Sequence, residues 1–364
     1  MEKTFGHIRI PLQRIHIELT NICNMNCAFC PKSVMSRPLG FMDTALAKRA
    51  ISEIAANKLC EKITFHVMGE PTLHPHFFEI LEHAEVEGQK VGLTTNGAVL
   101  GGKIGRKLLE YKLHQVDVSL QTPDEESFSL RGAGSLTFKR YLDSIMDFFS
   151  KYHVRYPDSI FKLRLMNTIH NKKQMADPGN TVAVIDSTSN LRQIVKTYSS
   201  MIYKLLDKPI RNEMIFDKKI QSLVNYKWNV IEVIPNVFLE TYLLSGWGNA
   251  FEDDLTPSDY GYCYGMKDHF SILYNGDVVL CCVDYDGKTA FGNIGNSSLK
   301  DVLSSSPLKE IMEGFKKFRF VHSYCKRCQG SHSLLSRMVK PVASILALKL
   351  LKGFFYKKTS LFER

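Results

Sequence analysis

Three cysteines, Cys23, Cys27 and Cys30, stand at C-x3-C-x2-C spacing directly after an alternating apolar segment at 14–20. Iron–sulfur clusters are normally held by four cysteine thiolates. A set of three thiolates beside a strand end therefore indicates a cluster with one iron left for an exchangeable cofactor or substrate. Two alternatives remain open on spacing alone: a zinc site, which usually takes four Cys and His ligands, and reduced cysteines without a metal.

Short apolar segments alternate with amphipathic helical patterns on both sides of this loop. This alternation predicts an α/β fold with a parallel sheet and right-handed crossovers. In such folds sites lie at the carboxyl ends of the strands, and the cysteine loop is in that position. The predicted strands are 14–20, 62–68, 91–95, 115–120, 160–166 and 230–234. One predicted helix begins after Asp43, which is its expected N-cap, and three others cover 76–87, 103–112 and 137–152.

The segment at about 170–228 is longer than one crossover connection requires, so it is predicted to be an insertion. It contains a loop at 176–180 and helical patterns at about 191–206 and 218–228. A cap over the substrate and a surface decoration are equally compatible with this pattern.

Composition favours a cytoplasmic enzyme. A chain of 364 residues with 44% hydrophobic residues can bury a full core and allows a large domain plus a smaller one. Nine cysteines without a signal-peptide pattern favour a reducing compartment and metal binding over disulfides. The net charge of +10 comes from residues spread along the chain. A solvated basic surface is therefore favoured over a nucleic-acid or membrane partner.

The sequence CNMNCAFC, followed by MGEP at 68–71 and TTNG at 94–97, resembles the radical SAM enzyme family. The resemblance implies a partial (β/α)6 TIM-like barrel and a [4Fe–4S] cluster held by Cys23, Cys27 and Cys30. It also implies reductive cleavage of S-adenosylmethionine to a 5′-deoxyadenosyl radical, which abstracts hydrogen from the substrate. The open iron would bind the amino and carboxylate groups of the cofactor.

The MGEP segment supplies cofactor contacts by the same resemblance. Gly69 would let the backbone approach the ligand closely, and Glu70 would hold the methionine amine through a charge-assisted bond. Without the upstream cysteines, Gly-Glu-Pro would read equally well as a turn that caps a helix. Phe29, in the cysteine loop, would place its backbone against adenine.

The end of the fourth strand and the following Arg-Gly also resemble a family site. Ser119 and Arg131 would contact the ribose or the carboxylate of the cofactor, the arginine by bidentate pairing. A strand-end serine and a surface arginine are the alternative. Asn96, in TTNG, is either a turn residue before Gly97 or a neighbour of the cofactor.

A second group of cysteines lies near the C-terminus. An Asn-Gly pair between apolar runs predicts a β-hairpin over 269–281. Four thiolates can close a cluster without an open iron, and a zinc ribbon is the alternative. The pattern resembles the twitch extension, a shortened relative of the SPASM domain, and implies one auxiliary [4Fe–4S] cluster. Its ligands would be Cys263, Cys281, Cys325 and Cys328.

An auxiliary cluster can accept an electron from a substrate radical, which permits dehydrogenation without NAD. The resemblance therefore implies oxidation of a small hydroxylated substrate, of sugar or aminocyclitol type, with a reductase, flavodoxin or ferredoxin as electron donor. Peptide modification is the alternative, and the short segment before residue 14 disfavours it because a leader-binding domain would be larger. An iron–sulfur or zinc binding protein is the alternative outside enzymes.

Two cysteines remain outside both groups. Cys282 adjoins Cys281, where sulfatase maturases place an aspartate base. Its thiol would return a hydrogen atom to the substrate in an epimerase, or it would be a spare thiol packed beside the cluster. Cys60 is predicted to end a helix as a small buried hydrophobe.

The predicted domains are a core at 1–250, an auxiliary-cluster domain at 251–330 and a helical tail at 331–364. The tail is apolar at 339–355 but carries three lysines, so it is too short and too charged to span a bilayer. It either packs on the barrel or lies at a membrane interface.

Overall fold

The structure is a computed structural model that describes residues 3–168, 184–209, 213–244, 247–252, 254–332 and 334–346, with only the backbone of 334–338 and 340. The predicted loop at 176–180 and the end of the predicted tail lie outside the described residues.

Strands and helices alternate over most of the chain, as the α/β prediction requires. The strands are β1 (Lys3–Phe5), β2 (Ile8–Ile10), β3 (Leu12–Ile17), β4 (Cys60–Phe65), β5 (Val91–Thr95), β6 (Gln115–Gln121), β7 (Ile160–Asn167), β8 (Asn229–Ile234), β9 (Val237–Leu243), β10 (His269–Ile272), β11 (Asp277–Val279) and β12 (Gly292–Asn293). The helices are α1 (Thr44–Asn57), α2 (Phe77–Val86), α3 (Lys103–Leu108), α4 (Glu125–Phe128), α5 (Phe138–Arg155), α6 (Thr188–Leu205), α7 (Glu213–Gln221), α8 (Leu299–Leu303), α9 (Ser306–Lys316), α10 (Ser323–Cys328) and α11 (Leu334–Ile345).

The chain forms two compact units. The first is made of Met1–Ile22, Val34–Val91 and Gly246–Arg364, and the second of Cys23–Ser33 and Gly92–Ser245. The first five predicted strands are present as β3 to β7, with ends shifted by a few residues.

In the first unit the strand order is β12-β11-β10-β3-β4. β10 and β4 run parallel to β3, and β11 is antiparallel to β10. The predicted Asn-Gly hairpin is therefore confirmed, with Gly276 at φ +89°. Its first strand also adds to the sheet beside β3, which the sequence did not predict. Buried pairs such as Phe270 with Ile15 and Ile272 with Ile17 explain this register.

Helix α1 begins as predicted, because Asp43 Oδ1 accepts a hydrogen bond from Leu46 N at 2.9 Å. It ends at a left-handed C-cap, Lys58, with φ 52°. Cys60 then lies in β4 and not at a helix end, so that prediction is wrong; its side chain is half-buried. Burial raises the pKa of the Cys60 thiol to about 12.

In the second unit the strand order is β5-β6-β7-β9-β8. The segment predicted as the sixth strand is β8, but it is antiparallel to β9, and β9 takes the parallel position beside β7. A tight turn at Pro235-Asn236 causes this difference. Asn236 has φ +64°, a left-handed conformation that Asn tolerates better than most residues.

Two helical patterns in the predicted insertion have different outcomes. Helix α6 is confirmed and buries Leu191, Val195 and Ile202. Helix α7 ends at Gln221, so the predicted helix at 218–228 is wrong over its second half. There the side chain of Asn225 bonds Thr188 Oγ1 at 2.9 Å instead of continuing a helix.

The C-terminal helix α11 starts before the predicted apolar segment, at Leu334. Ser344 Oγ accepts a hydrogen bond from Tyr262 N at 3.1 Å, which links this helix to another segment of the same unit. Over the described residues, no helix is both long and apolar enough to cross a bilayer.

Candidate active site

The cysteine loop of the second unit is held in place by the segment that contains the predicted Arg-Gly. Asn26 N donates to the carbonyl oxygens of Arg131 and Gly132, both at 3.2 Å, and Ala28 N donates to Leu130 O at 2.8 Å. A Cβ on Gly132, at φ +52°, would lie 2.4 Å from Asn26 O. The loop therefore needs glycine at this position, a role that the sequence analysis did not assign.

The three thiols of the loop lie near one another. The pKa of the Cys30 thiol is raised to about 12, chiefly by burial, with contributions from the neighbouring Cys27 and Cys23. Asn96 Nδ2 lies 3.4 Å from Cys23 Sγ, while Asn96 Oδ1 accepts from Ala98 N at 2.9 Å. Asn96 thus shapes the turn and also contacts a thiol. Three cysteines on one loop fit an iron–sulfur cluster, which cysteine thiolates hold.

Arg131 is buried, with 1% of its surface exposed, and is not a surface arginine. Its guanidinium donates to the Gln121 side chain and to Met25 Sδ. Burial lowers the pKa of Arg131, but Cys27 and other nearby groups more than offset this and raise it above its usual value. The Nε of Arg131 is buried without a hydrogen-bond partner within the described part of the chain.

Strand β6 ends irregularly beside this arginine. Its register with β7 shifts between Val118 and Gln121, and Gln121 has φ +60°. The shift turns Gln121 so that its Nε2 donates to Tyr242 Oη at 2.8 Å. Ser119 is half-buried within the irregular stretch, and Phe29 of the cysteine loop is buried.

MGEP belongs to the first unit, where its backbone is fixed by the end of β3. Glu70 N donates to Ile22 O at 2.8 Å. A Cβ on Gly69, at φ +73°, would lie 2.3 Å from Thr20 O. Glu70 is fully buried, and its Oε1 accepts from Thr72 Oγ1 at 2.6 Å at the start of a short 3-10 helix, Pro71–Leu73. The capping role considered from the sequence is therefore present.

A buried ion pair supports the same strand end, and the sequence analysis missed it. The Glu18 carboxylate accepts two hydrogen bonds from Arg37, both at 2.8 Å, and further bonds from Met68 N at 3.2 Å and Tyr274 N at 3.1 Å. The signal was a lone acidic residue in the apolar strand segment. Glu18 thereby joins β3 to both MGEP and the hairpin.

The four C-terminal cysteines also come together within the first unit. The pKa of Cys281 is raised well above its usual value. Burial is the largest cause, and the nearby Cys263, Cys282 and Cys328 also raise it. Burial also raises the pKa of Cys325, with smaller effects from Cys263 and Cys328. Cys263 Sγ and Cys281 Cβ would also lie 3.5 Å and 3.6 Å from a Cβ on Gly265. This grouping fits a fully ligated cluster.

Helix α10 presents two of these thiols. Its amino end is capped by His322, whose Nδ1 accepts from Tyr324 N at 3.2 Å. Its carboxyl end is held by Asn249, whose Nδ2 donates to Arg327 O at 2.8 Å and Cys328 O at 3.2 Å. The C-x2-C pair therefore sits on a helical turn fixed at both ends.

Cys282 lies beside His269, a residue that the sequence analysis did not select. Cys282 Sγ is 3.8 Å from His269 Nε2. Burial raises the pKa of Cys282, but the charge and hydrogen bond of His269 outweigh it, so the net pKa is below its usual value. The Cys282 thiol therefore lies within hydrogen-bonding distance of an imidazole.

Comparison with known proteins agrees with both cysteine groups. The model of the radical SAM superfamily matches residues 17–157, and that of an iron–sulfur cluster-binding domain, SPASM, matches residues 263–329.

Curated relatives match over part of the chain. The tungsten-containing aldehyde ferredoxin oxidoreductase cofactor-modifying protein of Pyrococcus furiosus is 28% identical over 109 residues, which are 30% of this chain and 31% of that protein. The AdoMet-dependent heme synthase of Methanosarcina barkeri is 35% identical over 111 residues, again 30% of this chain and 31% of the relative. The chain thus spans about a third of the length of these relatives.

Among solved structures, SuiB of Streptococcus suis matches with a TM-score of 0.52 at 17% identity, covering 85% of this chain and 69% of that chain. This likeness concerns the fold, and it agrees with the predicted class, an α/β partial (β/α)6 barrel with a small C-terminal domain. The two matched domains imply two [4Fe–4S] clusters and S-adenosylmethionine as cofactors. The chain therefore carries a radical SAM domain over residues 17–157 and a SPASM-type iron–sulfur cluster-binding domain over residues 263–329.

Proposed function

We propose that this enzyme is a radical SAM oxidoreductase that removes two electrons from a small hydroxylated substrate of sugar or aminocyclitol type. The observation that carries the proposal is the grouping of the C-terminal cysteines. A Cβ on Gly265 would lie 3.5 Å from Cys263 Sγ and 3.6 Å from Cys281 Cβ, and Cys325 and Cys328 share helix α10. The Cys263 and Cys328 thiols also raise the pKa of both Cys281 and Cys325. Four thiolates saturate a cluster, and a saturated cluster supplies an electron acceptor when it is bound.

Cys23, Cys27 and Cys30 would hold the other cluster, and their single loop fits three of its irons. When bound, this cluster and S-adenosylmethionine supply the 5′-deoxyadenosyl radical that abstracts hydrogen from the substrate. In this proposal Glu70 accepts charge-assisted bonds from the methionine amine. Arg131 offers its buried Nε to a cofactor oxygen, which would satisfy that donor.

Asn96, Ser119, Gly69 and Phe29 complete the proposed cofactor contacts. Asn96 orients the first cysteine of the loop, because its amide contacts Cys23 Sγ. Gly69 admits a close backbone approach, and the Phe29 backbone lies against adenine. Ser119 contributes a hydroxyl from the irregular end of β6.

Polar side chains in the second unit support a hydroxylated substrate. Arg164 and Glu240 are register partners on β7 and β9, and Arg164 Nε lies 3.5 Å from Glu240 Oε1. Lys162 Nζ lies 3.7 Å from Glu240 Oε2, and the Arg164 guanidinium lies 5.0 Å from the Tyr242 ring centroid. Register partners project from the same face of a sheet. This face therefore offers charged groups that suit hydroxyls better than apolar surface.

The names of the relatives do not select a substrate, since they describe a cofactor-modifying protein and a heme synthase. An electron donor such as a flavodoxin, a ferredoxin or a reductase is proposed as a partner. Epimerisation is the second candidate, because the hydrogen-bonded thiol of Cys282 is a hydrogen-atom donor of the required type.

The experiment is turnover of candidate polyols and aminocyclitols in deuterated water with dithionite as reductant, followed by mass spectrometry. Oxidation predicts a product lighter by two hydrogens, formed in proportion to 5′-deoxyadenosine. A product of unchanged composition with one deuterium at an inverted carbon would replace oxidation by epimerisation. Turnover of a peptide and of no polyol would contradict the proposed substrate class.

A further inference from the structure

His16, His269 and Cys282 form a compact group of potential ligands within the first unit. One ligand atom from each lies within 4.8 Å of the other two. His16 belongs to β3 and His269 to β10, two neighbouring parallel strands, and Cys282 follows β11 of the hairpin. The group is therefore produced by the pairing of β10 with β3.

Each of the two imidazole rings is held by a contact of its Nδ1 atom, which leaves Nε2 to face the ligand group. His269 Nδ1 lies 3.1 Å from Asp268 Oδ2, and that carboxylate oxygen also accepts from Arg14 at 2.8 Å. His16 Nδ1 lies 2.5 Å from Thr64 Oγ1. Histidines that bind metals almost always donate their other ring N–H to a carboxylate or similar acceptor, which fixes the ring. His269 has this arrangement with Asp268, and the Thr64 hydroxyl holds the His16 ring through the corresponding nitrogen.

The remaining nitrogen of His16 lacks a hydrogen-bond partner. His16 has 5% of its surface exposed, and its Nε2 is buried without an acceptor or donor among the residues that the structure describes. The rings of His66 and His269 contact that of His16 edge-on, with centroids at 5.5 Å and 5.2 Å. Buried polar atoms are normally satisfied. A ligand at this nitrogen would satisfy it.

We propose that His16, His269 and Cys282 bind one divalent metal ion of the zinc type. Imidazole and thiolate are ligands that zinc prefers, whereas magnesium and calcium require oxygen. Zn–N distances near 2.1 Å and a Zn–S distance near 2.3 Å place tetrahedral N and S ligands about 3.6 Å apart. The His269 Nε2 to Cys282 Sγ distance of 3.8 Å is close to this value.

Three protein ligands leave the fourth tetrahedral position for water or another ligand, as in catalytic zinc sites. The thiolate of Cys282 is then occupied by the ion and does not act as a hydrogen-atom donor.

The experiment uses the full chain, prepared anaerobically with both clusters in place and treated to remove loosely bound metal. One equivalent of Zn²⁺ is added, unbound ion is removed by gel filtration, and zinc and iron are measured together. We expect about one zinc per chain. Zinc K-edge X-ray absorption should show one sulfur and two or three N/O neighbours, including imidazole, as tetrahedral zinc with this ligand set requires.

The variants His16→Gln and Cys282→Ala should lose most of the bound zinc and keep their iron. Cys60→Ala is the matched control, because Cys60 lies on β4 of the same unit outside the ligand group and should leave zinc unchanged. The spectrum of the unaltered protein decides the question even if a variant fails to fold.

Absence of bound zinc at full iron content would overturn the proposal. Zinc with four sulfur neighbours would also overturn it, since such zinc would be bound by Cys263, Cys281, Cys325 and Cys328 and not by the proposed site. Cleavage of S-adenosylmethionine and substrate oxidation are measured on the same samples. Failure of the oxidation with the expected zinc spectrum would affect the proposed function and not the metal site.

Discussion

The two cysteine groups differ in how the chain assembles them. Cys23, Cys27 and Cys30 come from one loop, so their spacing is fixed locally. The C-terminal thiols come from three separate segments, one before the hairpin, one after β11 and one on α10. Three cysteines on one loop can leave one iron of a cluster free to bind another ligand. Four cysteines that come from separate segments can surround a cluster on every side.

The supports of the two groups differ in the same way. The N-terminal loop receives its backbone bonds from 130–132 and a side-chain contact from Asn96. The hairpin that leads to Cys281 depends on pairing with β3 and on Glu18, which accepts from Tyr274 N at 3.1 Å. Removing one partner of the Glu18–Arg37 pair would leave the other as an unpaired buried charge, which would lower the free energy of unfolding by about 3–5 kcal/mol. The C-terminal group therefore depends on distant residues.

The largest effect is expected from replacing Cys23, Cys27 and Cys30 together by alanine. Bound iron should fall from about eight to about four per chain, because a [4Fe–4S] cluster holds four irons and the other cysteine group is intact. 5′-Deoxyadenosine formation should fall to background. Iron analysis and chromatography of the anaerobic reaction measure both, and Cys60→Ala is the control. An unchanged iron content would contradict the assignment of this loop.

Replacing Cys325 and Cys328 by alanine should have the complementary effect. Iron should again fall by about half, but 5′-deoxyadenosine should still form, while substrate oxidation should be lost. The same two assays, with product analysis, separate these outcomes. Retention of substrate oxidation would show that the C-terminal group does not take part in the reaction.

Features fixed by local sequence were predicted well. Asp43 with the apolar stripe of α1, and the Asn-Gly turn of the hairpin, depend on neighbours within a few residues. The position of Gly132 under the cysteine loop was not predicted, because the atom that a Cβ would meet belongs to Asn26, far away in sequence.

Features that depend on strand order were not accessible from the sequence. Only the segment of β8 was predicted as a strand, and packing beside β7 decides that β9 is the one that runs parallel. The group of His16, His269 and Cys282 likewise requires β10 to pair with β3. Single polar residues in apolar strands, such as Glu18 and His16, were the available signal, and their partners could be identified only after folding.

A smaller effect is expected for Glu70→Gln. A hydrogen bond to a charged group contributes about 1.5–3 kcal/mol, so the Kd for S-adenosylmethionine should rise about 10- to 150-fold. Thr72→Val, which removes the donor at 2.6 Å from Glu70 Oε1, should raise it less. Equilibrium binding to the protein with both clusters measures these values. Unchanged affinity in Glu70→Gln would remove the proposed role of Glu70.

The smallest effect concerns His74, a locally placed residue with a distant partner. His74 is buried; its Nε2 lies 2.7 Å from Met42 O, and its Nδ1 accepts from His76 N at 3.1 Å. Only the neutral ring can make both bonds, since a protonated Nδ1 cannot accept. Burial accordingly lowers the pKa of His74 below its usual value.

Because the folded-state pKa lies below that of the unfolded chain, the unfolded chain binds more protons between the two values. This contribution to stability is present above about pH 6.5, the unfolded value, and is lost as the pH falls through the folded value. Its slope is at most about 1.4 kcal/mol per pH unit. Anaerobic denaturant unfolding between pH 5.5 and 7.5 should show a shallower pH dependence in His74→Gln than in the unaltered protein. His7→Gln, at a histidine whose Nε2 lies 3.0 Å from Ser304 O, is the control and should keep the original slope. Equal slopes in all three proteins would mean that the neutral His74 ring does not contribute to this dependence.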